Sequence, residues 1–253
     1  MKDKKYYKLT IAYDGRNYCG WQLQKNGASI HEMLMKAGRA FLHDDFSITG
    51  GSRTDSGVHA LGYVALLATS HRLDSYRICR AFNAHLPKDI VVHKSENVSE
   101  SFHPRYSSKG KYYRYTIYND EFPLPQYMPY SYYYHHKKLN VAKMHEAAQF
   151  LVGEHDFKAF SSKKTSVNNT IRTIYSCSVT LDHKYIYIDI KGNGFLYNMV
   201  RIITGMLIEV GRDKLEANDL KKILIAKDRS QATKTAPANG LTLMEIYYDE
   251  GEA

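Results

Sequence analysis

Glu121-Phe122-Pro123-Leu124-Pro125-Gln126-Tyr127-Met128-Pro129-Tyr130 carries three of the six prolines in a chain of 253 residues. Proline fixes its own φ, lacks an amide donor and biases the residue before it away from helix. The stretch therefore reads as a connector, and it divides the chain into 1–122 and 123–253. On its N-terminal side, Tyr7, Leu9, Ile11 and Tyr13 alternate with Lys8 and Thr10, predicting a strand over Tyr6 to Tyr13. Ser29 and Glu32 form an S-x-x-E cap for a helix with Ile30, Leu34, Ala37 and Phe41 on one face. Strands are expected at Tyr63 to Ala68, Ile90 to His93 and Lys111 to Tyr118, with an Asp74-capped helix ending near Ala84. On the C-terminal side, Asn140 caps a helix, and strands follow at Thr173 to Leu181 and Lys184 to Ile190. A strongly apolar helix is expected from Phe195 to Gly211, then a shorter one capped by Asn218, and a closing strand from Leu241 to Tyr248. Each half interleaves strands with helices, so the expected fold is α+β: two ferredoxin-like halves with antiparallel sheets.

Composition narrows the function. Lys and Arg number 35 against 26 Asp and Glu, a net charge of +9. The excess is spread through the body: 18 basic and 12 acidic residues precede residue 127, and 17 and 14 follow. There are 22 Tyr and one Trp. A tyrosine offers a face that stacks on a base and a hydroxyl that reaches a phosphate, so charge and aromatics together tilt toward nucleic acid. Cys19, Cys79 and Cys177 show no CxxC spacing, which argues against a disulfide framework or a structural zinc site. The start is charged, without an apolar signal region, and runs such as Val64 to Ala68 fall far short of a bilayer span. A cytoplasmic protein is expected, neither secreted nor membrane-inserted.

Gly50-Gly51-Ser52-Arg53-Thr54-Asp55-Ser56-Gly57-Val58-His59-Ala60 concentrates glycines, an Arg, an Asp and a His between a helix and a strand. No GKS or GKT follows, so it is not a P-loop. Composition alone makes it a turn with an internal Arg–Asp pair, and makes His59 a packing or hydrogen-bonding residue rather than a base.

This segment resembles the GRTDxGVHA signature of the TruA-type tRNA pseudouridine synthases, and the resemblance continues along the chain. Tyr13-Asp14-Gly15 with Gly20-Trp21-Gln22 is similar to that family's opening, and Leu86 to Ile90 and Phe102 to Arg105 to its middle. Lys111 to Tyr115 resembles its KxYRY strand. His155-Asp156-Phe157 with Phe160, Thr170 to Ile174, Met199-Val200-Arg201, and Thr235 to Ala238 with Gly240-Leu241 follow in order. Four positions depart from the usual pattern. Ser52 and Ser56 replace glycine and alanine, and Tyr63 and His31 stand where glutamine is common.

The resemblance implies uridine-to-pseudouridine isomerisation in tRNA, at positions 38–40 of the anticodon arm, with no metal and no organic cofactor. It implies an active-site groove between the two halves and a homodimer. Asp55 would be the essential carboxylate, attacking the nucleotide or stabilising the charge that develops as the glycosidic bond breaks. Arg201 would favour its ionised form, and Tyr113 would stack on the uracil and move a proton. Arg53 would fill the stack when the uridine swings out, and Leu241 would wall the pocket. Without the resemblance, Arg201 reads as an Arg reaching solvent from a core helix, and Tyr113 as a cross-strand aromatic. Two alternatives stay open: the same reaction on ribosomal RNA or another tRNA site, and a non-catalytic RNA-binding protein.

Overall fold

Tyr7, Leu9, Ile11 and Tyr13 all point to the buried face of β1 (Lys5–Tyr13), as period-2 alternation requires. The computed structural model describes residues 4–25, 27–42, 45–71, 73–162 and 169–249. After β1 come α1 (Ile30–Phe41), β2 (Phe46–Gly50), β3 (His59–Thr69), α2 (Ser75–His85) and β4 (Ile90–Asn97). The strands lie in the order β4-β1-β3-β2, each antiparallel to its neighbour. This is the ferredoxin-like βαββαβ plan, in which β3 slots between β1 and β2. Ser29 accepts the Glu32 amide at 3.2 Å and starts α1, whose Ile30, Leu34 and Ala37 are buried. Phe41 meets Phe82 of α2 edge-on, ring centres 5.0 Å apart, which joins the two helices.

The second unit opens with β5 (Gly110–Asn119) and the short β6 (Tyr132–Tyr134). Then come α3 (Val141–Gln149), β7 (Gly153–Asp156), β8 (Ile171–Asp182), β9 (Tyr185–Gly192), α4 (Met199–Gly211) and α5 (Ala217–Ala226). Its strand order is β5-β9-β8-β7, antiparallel throughout, with β6 parallel to β5. Tyr115, Ile117, Ile186, Ile188 and Ile190 make the buried face of this sheet, and Met144, Ala147 and Ala148 the buried face of α3. Every residue of α4 except Arg201 and Glu209 is buried, so this helix is apolar nearly all round.

The prolines do not mark the division between the units. One unit is Met1–Lys109 with Leu243–Ala253, the other Gly110–Thr242. β5 precedes the prolines, but it pairs with β9 over eight residue pairs, so it belongs with the second unit. The last strand, β10 (Leu241–Tyr247), lies beside β3, which returns residues 243–247 to the first unit. Two helix starts also differ from the sequence reading. α4 begins at Met199 rather than Phe195, because Asn198 sits in the left-handed region at φ 60° and turns the chain into the helix. α5 is preceded by Glu216, not capped by Asn218; the Asp219 carboxylate accepts the Glu216 amide at 3.0 Å. Among the described residues, no helix is long and apolar enough to cross a membrane.

The proline-rich connector is a loop whose far end is tied to the end of β5 through the Asn119 side chain. Buried Asn119 donates to the carbonyls of Tyr134 and Lys137, at 2.9 and 3.3 Å, and accepts the Leu139 amide at 2.9 Å. Removing it leaves several backbone groups without partners. Asn119→Ala is expected to cost ~1–3 kcal/mol. Urea unfolding should show a lower midpoint at unchanged slope; an unchanged midpoint would mean that the loop closes without it.

Candidate active site

The loop after β2 is fixed at Gly51, Ser52 and Thr54. Gly51 donates to the Val64 carbonyl at 2.9 Å, extending the β2–β3 ladder by one step. At Ser52 a side chain takes over: the Tyr63 hydroxyl accepts the Ser52 amide at 3.3 Å and donates to the Ser52 carbonyl at 2.5 Å. Thr54 is buried; its hydroxyl bonds that of Tyr13 at 2.8 Å, and its carbonyl accepts the Trp21 amide at 3.2 Å. Between and after these anchors, Arg53 is exposed and Asp55 half-buried. The loop then closes, with the Gly57 amide donating to the Tyr18 carbonyl and the Val58 amide to the Asp55 carbonyl.

The glycines of the opening motifs belong to the same construction. A Cβ on Gly15 would stand 1.9 Å from the Val58 carbonyl oxygen, and one on Gly20 would stand 2.3 Å from that of Thr54. Only glycine lets these segments approach the loop backbone so closely. His59 is buried, and its Nδ1 accepts the Gly15 amide at 3.2 Å. The same Nδ1 lies 3.3 Å from the Asp14 carboxylate, which Arg16 grips through both oxygens. His59 thus stands as a buried hydrogen-bonding residue that ties the Gly15 backbone to the start of β3.

The second unit supplies Tyr113, Arg201 and Leu241. Tyr113 shares the buried face of β5 with Tyr115 and Ile117, and it meets Phe195 edge-on at 5.2 Å. Tyr112 and Arg114 point the other way. Arg114 forks onto Asp189 at 2.8 and 2.9 Å, while the Tyr112 phenol, desolvated and bonded to Asp189, is pushed up to about 12. Arg201 is half-buried in the first turn of α4. Its Nε donates to the Ala236 carbonyl at 2.7 Å and its Nη1 to the Asn198 Oδ1 at 3.1 Å. The Ala236 amide donates back to the Arg201 carbonyl at 3.1 Å. Tyr115 donates to the Pro237 carbonyl at 2.8 Å, and burial pushes its phenol well above the ordinary range. Leu241 is buried directly after the Ala238–Gly240 turn that packs on the Tyr115 ring.

Arg53 and Asp55 thus share one loop of the first unit, and Arg201 and Tyr115 share one strap, Ala236-Pro237, in the second. The sequence reading missed three supports: Tyr13 and Tyr63 beneath the loop, and Tyr115 beneath the strap. The departure at Tyr63 was the one available signal for the loop, since a phenol there demands a hydrogen-bond partner when buried. Among the described residues, no group of three His, Cys, Asp or Glu could hold a metal ion.

A family model described as tRNA pseudouridine synthase matches residues 9–107 and 147–249. Three relatives carry the name tRNA pseudouridine synthase A. That of Ruminiclostridium cellulolyticum is 48% identical over 95% of this chain and 98% of its own. Those of Acetivibrio thermocellus and of a Thermoanaerobacter species are 44% and 43% identical over the same shares.

The strap that holds Arg201 lies against α4 at Gly205, where a Cβ would stand 2.2 Å from the Lys234 carbonyl oxygen. Backbone must shift to admit it. Gly205→Ala is expected to destabilise the chain by ~1–3 kcal/mol through overpacking. Amide exchange at Ala236 should quicken as its bond to Arg201 loosens. A thermal melt and exchange unchanged from wild type would refute this account of how Arg201 is held.

Proposed function

This chain belongs to the tRNA pseudouridine synthase family, and from that premise we propose that it converts uridine to pseudouridine at positions 38–40 of the tRNA anticodon stem-loop, with Asp55 as nucleophile. The reaction breaks the bond between N1 of uracil and C1′ of ribose, turns the ring, and joins C5 to C1′. N1 gains a proton and C5 loses one, so no electron acceptor and no cofactor is required. The Asp55 carboxylate bonds to the nucleotide as the N1–C1′ bond breaks, which frees the ring to rotate, and that bond breaks again when C5 joins C1′, so the carboxylate is regenerated. Arg201 keeps that carboxylate ionised. Tyr113 stacks on the uracil and carries the proton between ring positions. Arg53 fills the gap that the extruded uridine leaves, and Leu241 limits the pocket. The uridine leaves the stack first, because C1′ cannot be reached within it. The enzyme works as a cytoplasmic homodimer.

The observation that carries the reading is the fixed loop under Asp55. Anchors at Ser52 and Thr54 set the backbone on both sides of Arg53, leaving Arg53 exposed and Asp55 half-buried. A reaction that depends on placement within a fraction of an ångström needs such a base. The second support is the length of the match, 95% of this chain to relatives named for the same reaction.

Asp55→Asn keeps the shape and removes the charge. Tritium release from 5-tritiated uridine tRNA should vanish in this variant, while tRNA binding and the melting temperature persist; clear turnover would sink the assignment. Tyr113→Phe and Arg201→Lys should both lower turnover more than binding, the second because an ammonium cannot form the planar fork. A wild-type rate in either would make that residue structural. Pseudouridine mapping in tRNA and ribosomal RNA from a strain lacking the gene separates the anticodon arm from other targets.

The tRNA is held through phosphates by a charge of +9 that no tail carries. Affinity of the Asp55→Asn protein should therefore fall steeply with salt, by about 0.7–0.9 in log–log slope per phosphate contact. An isolated anticodon stem-loop should bind better than an unstructured uridine oligomer. Binding indifferent to salt, or equal for both RNAs, would contradict a surface that reads shape.

A further inference from the structure

We propose that Tyr63 is a positioning residue for this reaction: its buried hydroxyl fixes the backbone of Ser52 and thereby the directions in which Arg53 and Asp55 leave the loop. The inference rests on the reading of Asp55 as the catalytic group. β2 ends at Gly50, paired with Ala65, and the Gly51 amide still finds the Val64 carbonyl. One residue later the ladder's next partner would be a backbone group of Tyr63. The Tyr63 side chain stands in for it. A phenol carries one donor and two acceptor lone pairs, so this one hydroxyl serves both the amide and the carbonyl of Ser52.

The ring that carries the hydroxyl cannot drift. Tyr63 is fully buried. Its ring stacks on Trp21 at 4.1 Å with the planes 21° apart, and it lies 5.8 Å from that of Tyr13. Gly50 admits the hydroxyl and the indole together, since a Cβ there would stand 2.2 Å from one and 2.4 Å from the other. Tyr13 and Trp21, the ring neighbours of Tyr63, are the two residues that anchor Thr54. One aromatic cluster therefore holds residues 52 and 54, and Arg53 and Asp55 are the neighbours whose directions it sets. A residue that only filled the core would need the ring and not the hydroxyl.

The test removes the hydroxyl alone. Tyr63→Phe keeps the volume and the stack on Trp21, and it lacks both donor and acceptor. On transcribed tRNA its kcat should fall about 10- to 100-fold, as for a group displaced by a fraction of an ångström. Its KM should stay within about twofold, and deuterium uptake in peptides covering 50–58 should rise without change over α4. A Tyr63→Phe kcat within about twofold of wild type overturns the proposal. If that variant were insoluble, the wild-type chain still decides. The Ser52 amide must be protected from exchange, and fast exchange there overturns the proposal equally. Asp55→Asn separates the premise from the inference: turnover in that variant would remove the premise. A dead Asp55→Asn beside a fully active Tyr63→Phe would remove the positioning role alone.

Discussion

A tyrosine buried in a strand has to find a partner for its hydroxyl, and in this protein the partner is repeatedly a loop. Tyr7 donates to the Leu73 carbonyl, Tyr18 to Asp89, Tyr63 to Ser52, Tyr115 to Pro237 and Tyr248 to Pro104, and Tyr13 shares a bond with Thr54. Of these, Tyr7, Tyr13, Tyr63 and Tyr115 are buried rings on strands, each joined to an irregular segment that has no ladder of its own. The cost of leaving such a hydroxyl dry is ~1–3 kcal/mol, so loop and ring are stable only together. Tyr134 and Tyr185 are the exceptions, their hydroxyls meeting no partner among the described residues. The loop under Asp55 and the strap over Arg201 are two products of this one requirement.

The abundance of tyrosine therefore has a different meaning from the one that composition suggests. Surplus tyrosine on a basic chain points to base stacking. Most of the tyrosines that shape the candidate site are instead turned inward, and what they order is backbone. Rings do lie exposed elsewhere, Tyr76, Tyr106 and Tyr175 among them, so composition gives the number of rings but not the side they face.

The regular parts of the fold were legible because their signals are local. The alternation in β1, the Ser29 cap and the apolar stripe of α4 each sit within a dozen residues. The motif loop was legible by resemblance, which named Asp55, Tyr113 and Arg201 without placing them. What escaped has a physical reason in each case. β2, β6 and β7 span five, three and four residues, too short for periodicity to show. The start of α4 turns on one left-handed Asn, and nothing in the sequence separates that residue from a helical one. The division of the chain is set by pairing across long separations, β5 with β9 and β3 with β10, while the prolines mark only a loop. The role of Tyr63 needs a distance to Ser52 that no pattern along the chain contains.

The return of the last strand to the first unit has a consequence for how the protein is made. A ribosome releases the chain from its N-terminus at about 5–20 residues per second. β1 through β4 emerge first, and β10, the neighbour of β3, emerges only after β5 to α5 of the second unit. β2 pairs with β3 only from Ala65 to Thr69. The edge of β3 that faces away from β1 near the Asp55 loop therefore waits roughly 10–30 s for its neighbour at that rate, a time in which nascent chains on neighbouring ribosomes can pair with it. Completion of the first unit thus waits on synthesis of the second, and a chain cut before Leu243 would keep the Asp55 loop while lacking the strand that lies beside β3.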